Sequence, residues 1–296
     1  MGRLIRGISK NARFIIVDST DVVQVAQDMH KCSPTTIDVF GRMLTAGLIM
    51  GSNLKGDDLL SIRIDTDGIL KHVLVTADGK GGVKGYVSDP DAEIEPKENG
   101  KRNVSGLVGK GTIKIIKDMG LKEPYIGISE IVSGGIAEDL AYYYYTSEQT
   151  PTVLALGIIL TEDNKIKTAG GYMIQLLPNA EESFITFLEE KVRAMHDIGI
   201  LLKNGMSLEE IAKLIYDDMS TEEDVPIESY EILEEEKVEY VCNCNKDRFY
   251  KGLITLGKGE LKKILDVEKS IEVECHFCKK KYSFTKEDFV EILEGK

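Results

Sequence analysis

The feature that most constrains this chain is a pair of cysteine doublets, Cys242-Asn-Cys244 and Cys275-His-Phe-Cys278, separated by thirty residues. Two knuckles, each offering two thiolates, supply the tetrahedral sulfur set that zinc prefers, at about 2.3 Å per zinc–sulfur bond. Cys-x-x-Cys suits a knuckle turn, whereas Cys-x-Cys is tighter and rarer. An ordinary zinc ribbon, with two Cys-x-x-Cys doublets and a gap of roughly 15–20 residues, is therefore a poorer match. The spacing predicts one zinc per chain held by Cys242, Cys244, Cys275 and Cys278 in the reduced form. His276 lies inside the second knuckle and is expected to point outward.

The segment around these cysteines is poor in large apolar side chains; Phe249, Leu253, Ile254, Leu261, Ile264, Leu265, Phe277, Phe284 and Phe289 are most of them. A unit of this size is marginal on burial alone. Structural zinc contributes on the order of 10–16 kcal/mol in comparable peptides, which matches or exceeds the stability of a typical domain, about 5–15 kcal/mol. Removing the metal is expected to unfold the unit. Thiolates are also what oxidants attack, and a disulfide cannot ligate zinc as they do. Oxidation, metal loss and unfolding are thereby linked. Spacing alone leaves a static structural zinc and a redox switch both open, and the static site is the commoner.

Upstream, the chain reads as α+β. Strands are predicted at Arg13-Phe-Ile-Ile-Val-Asp18, Leu60-Ser-Ile-Arg-Ile64, Lys71-His-Val-Leu-Val-Thr76, Thr112-Ile-Lys-Ile-Ile116 and Tyr125-Ile-Gly-Ile-Ser-Glu-Ile131. Two more are expected at 153–160 and 168–177. The glycine-rich stretch 79–85 reads as a turn before Tyr86-Val87. Ser33-Pro34 is a helix start, with Ser as cap and Pro at the first helical position. Ile37, Phe40, Leu44 and Leu48 then give one apolar face. A further helix is predicted over 136–145. Strand runs adjoin one another more than they alternate with helices, which favours α+β over a doubly wound sheet.

Pro178 marks a break. From 181 to 203 the period is helical, with Phe184, Leu188, Val192, Met195 and Leu202 on one face, and Gly205 ends it. Ser207-Leu-Glu-Glu210 is a capping box opening a second helix to about Met219. Residues 221–239 follow, dense in acid and broken by Pro226, with too little apolar surface to fold alone. The expected organisation is a core domain at 1–178, an acidic helical linker at 179–237, and a small C-terminal zinc domain at 238–296 built on the four cysteines. That last unit ends in Thr285-Lys-Glu-Asp288, a second capping-box-like helix start.

Charge and cysteine usage exclude several classes. The net charge is −13, and residues 207–240 hold −11 of it, with thirteen acidic residues against Lys213 and Lys237. Such a surface repels phosphate backbones, which weighs against nucleic acid as a partner. No apolar run approaches the roughly 18 residues of a membrane span, and the start, Met1 to Lys10, has no secretory h-region. Five cysteines, four of them crowded together, suit metal or redox chemistry in the cytoplasm rather than a disulfide scaffold. Gly106-Leu-Val-Gly-Lys-Gly-Thr112 is too short for a P-loop. Cys32 has no sequence partner and reads as packing. His30, His72 and His196 read as structural, Lys279-Lys-Lys281 as a solvated basic turn, and Tyr142 to Tyr145 as ordinary packing of one helix.

At this point the residues match a known family. The chain resembles the redox-regulated holdase chaperones of bacteria, the thirty-three-kilodalton heat-shock proteins, over essentially its whole length. The resemblance is carried by Thr45-Ala-Gly-Leu-Ile-Met-Gly51, Leu54-Lys-Gly56, Gly134-Gly-Ile-Ala-Glu-Asp139, Ser147-Glu-Gln-Thr-Pro151 and Gly170-Gly-Tyr-Met-Ile-Gln-Leu-Leu-Pro178. Most specific are Cys242-Asn-Cys244, Leu256-Gly-Lys258 with Glu260-Leu261, and Cys275-His-Phe-Cys278 with Tyr282 and Phe284. The resemblance implies an ATP-independent holdase, not an enzyme, that takes part in the heat-shock and stress response. It implies that oxidation joins Cys242 to Cys244 and Cys275 to Cys278, releases zinc, unfolds the linker and exposes a surface for unfolded client proteins. It also implies a homodimer in the oxidised form. Two other classes stay open at this stage. A zinc-ribbon nucleic-acid binder would need a basic groove. A thiol-disulfide oxidoreductase using Cys275 and Cys278 would need a strand before the motif and a helix starting on it.

Overall fold

A computed structural model describes residues 2–216 and 228–294. The chain forms two compact units, Met1–Tyr240 and Val241–Lys296. In the first, β1 (Arg3–Ser9) and β2 (Ala12–Asp18) make an antiparallel pair. Then come α1 (Thr20–His30), α2 (Pro34–Gly51), β3 (Leu59–Thr66), β4 (His72–Asp78), β5 (Gly82–Val87) and α3 (Val104–Val108). They are followed by β6 (Gly111–Asp118), β7 (Tyr125–Glu130), α4 (Ala137–Ser147), β8 (Thr152–Leu160) and β9 (Ile166–Leu176). The linker region supplies α5 (Glu182–Ala194), α6 (Ile198–Lys203), α7 (Leu208–Tyr216), β10 (Tyr230–Lys237) and β11 (Glu239–Tyr240). The strands sort into two sheets, β10-β1-β2-β9-β8 and β11-β5-β4-β3-β6-β7. This is the mixed α+β architecture that the adjoining strand runs predict.

Helix α2 is the centre of the unit. Ser33 caps it, its side chain accepting the Thr36 N–H, and Pro34 opens it. The sequence pattern suggests a single apolar face, but nearly its whole circumference is buried, because it packs against strands of both sheets. Its buried polar residues are therefore paired. Asp38 meets Arg42 and Arg102, each at 2.7 Å, and Thr45 bonds the Gly41 carbonyl and Ser19. The turn entering α4 is held by Asp139, which is fully buried. Its carboxylate accepts the N–H groups of Val132, Ser133, Gly134 and Ile136, and Ile136 sits at a positive φ of 72°. Four backbone donors on one carboxylate explain how a β-branched residue is kept in a region that it normally avoids.

The five-stranded sheet is buried on both faces. Alternation along β2 sends Ile15 and Val17 into the main core with α2. Phe14 and Ile16 point to the other face, where Ile5, Tyr172 and Ile174 join them. That second apolar face is covered by the linker helices, through Phe184, Leu188, Ile198, Leu201, Ile211, Ala212, Ile215 and Tyr216.

Three features differ from the sequence reading, two of them in 179–240. The single helix over 181–203 is broken: Met195 is extended, and the Asp197 carboxylate accepts the Gly199 N–H to start α6. The acidic stretch is not helical at its end. Residues Tyr230–Lys237 are a strand, antiparallel to β1 from Arg3↔Lys237 to Ser9↔Tyr230. The physical reason is charge pairing: Arg3 bonds Glu209 and Glu235, and Arg6 bonds Glu234 and Glu236, which converts self-repelling acids into a docked edge. Burial opposes ionisation at Glu209, but Arg3 outweighs it and holds that carboxyl below the usual carboxylate range. Finally, glycines 82 and 85 lie within β5 rather than in the turn before it. The Ser207–Glu210 capping box is present in both directions. The helix extension to Met219 and the densest acids near Pro226 lie outside the described residues.

The second unit holds α8 (Lys246–Ile254), α9 (Lys258–Val267), the antiparallel hairpin β12 (Ser270–Glu274) and β13 (Lys281–Thr285), a 3-10 turn (Lys286–Phe289) and α10 (Val290–Glu294). Thr285 and Asp288 make the expected reciprocal cap at the last turn. Its buried core is Leu261, Leu265, Phe284 and Phe289.

Candidate metal centre

The second knuckle is built by the hairpin. Glu274 pairs with Lys281 at the end of the ladder, so 275–280 must reverse the chain. The reversal is closed by the Cys275 N–H donating to the Lys280 carbonyl at 2.9 Å, and by the Lys279 N–H donating to the Cys275 carbonyl at 2.8 Å. Lys279 takes the left-handed conformation this needs, at φ 59°. The first knuckle precedes α8, whose cap Asn245 accepts the Arg248 N–H and so directs the chain away just after Cys244.

These two turns bring the four predicted sulfurs together. All four Sγ atoms lie within 4.8 Å of one another, with Cys242 to Cys275 at 3.7 Å and Cys244 to Cys278 at 3.3 Å. A tetrahedron of sulfurs about 2.3 Å from a central ion has edges of about 3.8 Å. The spacing therefore fits a group able to hold one metal ion. Cys275 is buried and the other three are half-buried. His276 is exposed and outside the cluster, as its place in the knuckle suggests. Cys32 belongs to the main hydrophobic core of the first unit, where Gln27 bonds its backbone N–H and carbonyl.

The thiols are electrostatically unequal. Burial pushes the Cys278 thiol up to about 12 and raises Cys242 as well. At Cys244 burial also opposes ionisation, but hydrogen bonds from Tyr282 and the neighbouring cysteines outweigh it and bring the pKa to about 7. Four thiolates this close repel one another, so full ionisation of the set calls for a cation. The sequence reading named Tyr282 only as part of a motif. The structure places its hydroxyl 3.2 Å from Cys244 Sγ and 3.0 Å from the Cys244 carbonyl. Its ring packs on Phe249 at 5.0 Å, which fixes the hydroxyl there. The signal lay in the strand alternation after the second doublet, where Tyr282 and Phe284 point to the same side. In the basic turn, Lys280 lies over the Tyr282 ring and Lys279 meets Glu274. Cys275 follows a strand, but the chain after Cys278 enters β13 rather than a helix, unlike the arrangement a thioredoxin-like reaction requires.

Comparison with known proteins agrees with the geometry. The family model described as Hsp33 protein matches residues 2–285. The "33 kDa chaperonin" of Clostridium botulinum (strain 657 / Type Ba4) is 41% identical over 297 residues, covering 99% of this chain and 97% of that protein. The protein of the same name from Clostridium perfringens (strain SM101 / Type A) is 41% identical over 299 residues, covering 99% and 92%. The crystal structure of the 33 kDa chaperonin of Thermotoga maritima superposes with a TM-score of 0.89 at 28% identity, over 99% of this chain and 98% of that one. With a family match over almost every residue and relatives well above 30% identity along their full length, this chain belongs to the Hsp33 protein family.

Proposed function

We propose that this chain is an ATP-independent holdase of the cytoplasm, switched on when the thiolates of Cys242, Cys244, Cys275 and Cys278 are oxidised. The observation that carries the reading is the four-sulfur cluster itself, set in a unit whose described residues bury four apolar side chains besides the cysteines, Leu261, Leu265, Phe284 and Phe289. The relatives' name, 33 kDa chaperonin, supports the chaperone class. Soft thiolate ligands and near-tetrahedral spacing favour zinc as the metal. Bound zinc would hold the four sulfurs ionised and tie the two knuckles together.

Oxidation by a two-electron oxidant of the peroxide class joins two thiolates as one disulfide. The two thiolate sulfurs give up two electrons, solvent supplies two protons, and the peroxide leaves as two waters. Two equivalents therefore convert the set to Cys242–Cys244 and Cys275–Cys278. Distance does not choose between this pairing and one across the knuckles; the resemblance to the family supplies the choice. A disulfide no longer ligates as two thiolates do, so the second unit loses its tie. Only Val241 separates β11 from Cys242, so disorder arising there reaches β11 and β10 first. Residues 179–237 then act as a linker that leaves the sheet face of Ile5, Phe14, Ile16, Tyr172 and Ile174, opening apolar surface to unfolding clients. The oxidised form works as a homodimer.

Metal analysis tests the site. The reduced protein should carry one zinc per chain, Cys244→Ser should lose most of it, and Cys32→Ser should keep it. Undiminished zinc in Cys244→Ser, or none in the reduced parent, would contradict the assignment.

A further inference from the structure

Strand β10 sits on the sheet as a ligand would. It adds to the β1 edge through an antiparallel ladder, and its acids answer the two arginines of β1. Arg3 meets Glu235, and Arg6 meets Glu234 and Glu236; outside both strands, the neutral Asn11 amide donates to Glu228. The fit is imperfect. The register slips between Arg6 and Gly7, so that Leu233 is skipped and left 55% exposed. Arg6 Nε and Glu236 Oε2 are buried with no hydrogen-bond partner among the described residues. A cover with a bulge and unmet charged atoms is one that a better-matched segment can replace. Gly7 makes room on both sides of β1: a Cβ there would run into the Phe14 ring of β2 and would lie 2.6 Å from the Glu231 carbonyl of β10.

We propose that the β1 edge is a client-binding site that β10 occupies in the resting protein, and that it takes extended segments of unfolding proteins rich in acidic residues. The reading rests on release of the linker as proposed above. Main-chain hydrogen bonds to β1 give affinity for any extended chain. Arg3 and Arg6 add the preference for carboxylates, since both present planar donor forks on the strand that β10 vacates. Free backbone edges recruit strands in general, which explains why this one is covered at rest.

The probe is a labelled peptide of residues 229–238, Ser-Tyr-Glu-Ile-Leu-Glu-Glu-Glu-Lys-Val, and its counterpart with lysine at the three central glutamates. Fluorescence anisotropy should show the acidic peptide binding oxidised full-length protein about tenfold more tightly than the lysine peptide, since each partly exposed pair contributes modestly. Arg3→Glu with Arg6→Glu should invert that preference, which a misfolded variant would not do. Glu234→Lys with Glu235→Lys and Glu236→Lys, in the reduced full chain, repels β10 from its seat and should bind the acidic peptide without oxidant. Hydrogen exchange of the β10 amides on oxidation separates the two ideas. Release without acidic-peptide binding overturns the edge assignment alone. Protection that persists in the oxidised parent counts against linker release, while binding to the charge-reversed variant still upholds the edge. Equal binding of both peptides, or a concentration-dependent self-association that blocks the acidic one, overturns the proposal.

Discussion

Chelating the metal from the reduced protein should unfold residues 241–294, loosen β10 and β11 next to them, and leave the body from β1 to β9 folded. Among its described residues, the apolar core of the second unit is Leu261, Leu265, Phe284 and Phe289, aided by half-buried partners such as Phe249 and Tyr282. Below about 70–80 residues such a core seldom supplies more than about 3–5 kcal/mol. A thiolate zinc site contributes on the order of 10–16 kcal/mol, so removing it takes the unit well past its midpoint. The body from β1 to β9 has no such dependence, because α2 and the strands of both sheets share a core that runs from Leu4 to Met173. Hydrogen exchange read after chelation under reducing conditions should show β12, β13 and α9 losing protection while β3 and β4 keep theirs. Retained protection in β12 and β13 would mean that the hairpin folds on its own side chains, and the switch would lack its mechanism.

The second large effect is expected at Tyr216, far along the chain from the cysteines. This residue ends α7 fully buried and ties the linker to the sheet. Its ring stacks on Tyr230 of β10 at 4.8 Å, and lies 5.6 Å from Phe14 and 6.1 Å from Phe184. Its hydroxyl reaches Ser9 Oγ at 3.3 Å. One side chain thus joins α5, α7, β10 and β2. Tyr216→Ala should cost about 3–5 kcal/mol, the usual range for deleting a buried aromatic. Since about 1.4 kcal/mol is a factor of ten, linker docking should weaken by at least about a hundredfold. The reduced variant should then suppress client aggregation without oxidant, with α5 and β10 exchanging faster. Tyr216→Phe keeps the stack and should stay silent when reduced. A silent Tyr216→Ala with parent-like exchange would show that docking is held elsewhere.

Both expectations depend on parts of the molecule that were unequally legible in the sequence. The cysteine spacing named the whole sulfur cluster, because ligand geometry leaves few ways to place two doublets. Strands such as Leu60–Ile64 and the Ser33-Pro34 helix start were equally readable, since alternation and capping act locally. The acidic end of the linker was not. Glu234 to Glu236 look like solvated charge until Arg3 and Arg6 are brought beside them by β1, a pairing across more than 220 residues. Nor was β1 itself singled out as a strand, because its two arginines obscure the alternation of Leu4, Ile5 and Ile8. The break at Met195–Asp197 was hidden for a related reason. The apolar face runs on through Leu202, and only the Asp197 cap, seated against Gly157 of β8, stops the first helix. Helices α8 and α9 carry few apolar residues and gave little periodic signal.

The most direct test of the account follows three quantities in one sample as peroxide is added to the reduced, zinc-loaded protein. These are zinc released to a colorimetric chelator, disulfides mapped by non-reducing peptide analysis, and light scattering of a heat-denatured client without ATP. The account predicts that they move together: one zinc leaves per chain as Cys242–Cys244 and Cys275–Cys278 form, and client scattering falls only in the oxidised protein. Equal suppression by the reduced and oxidised forms, or full zinc release with no gain in suppression, would contradict it.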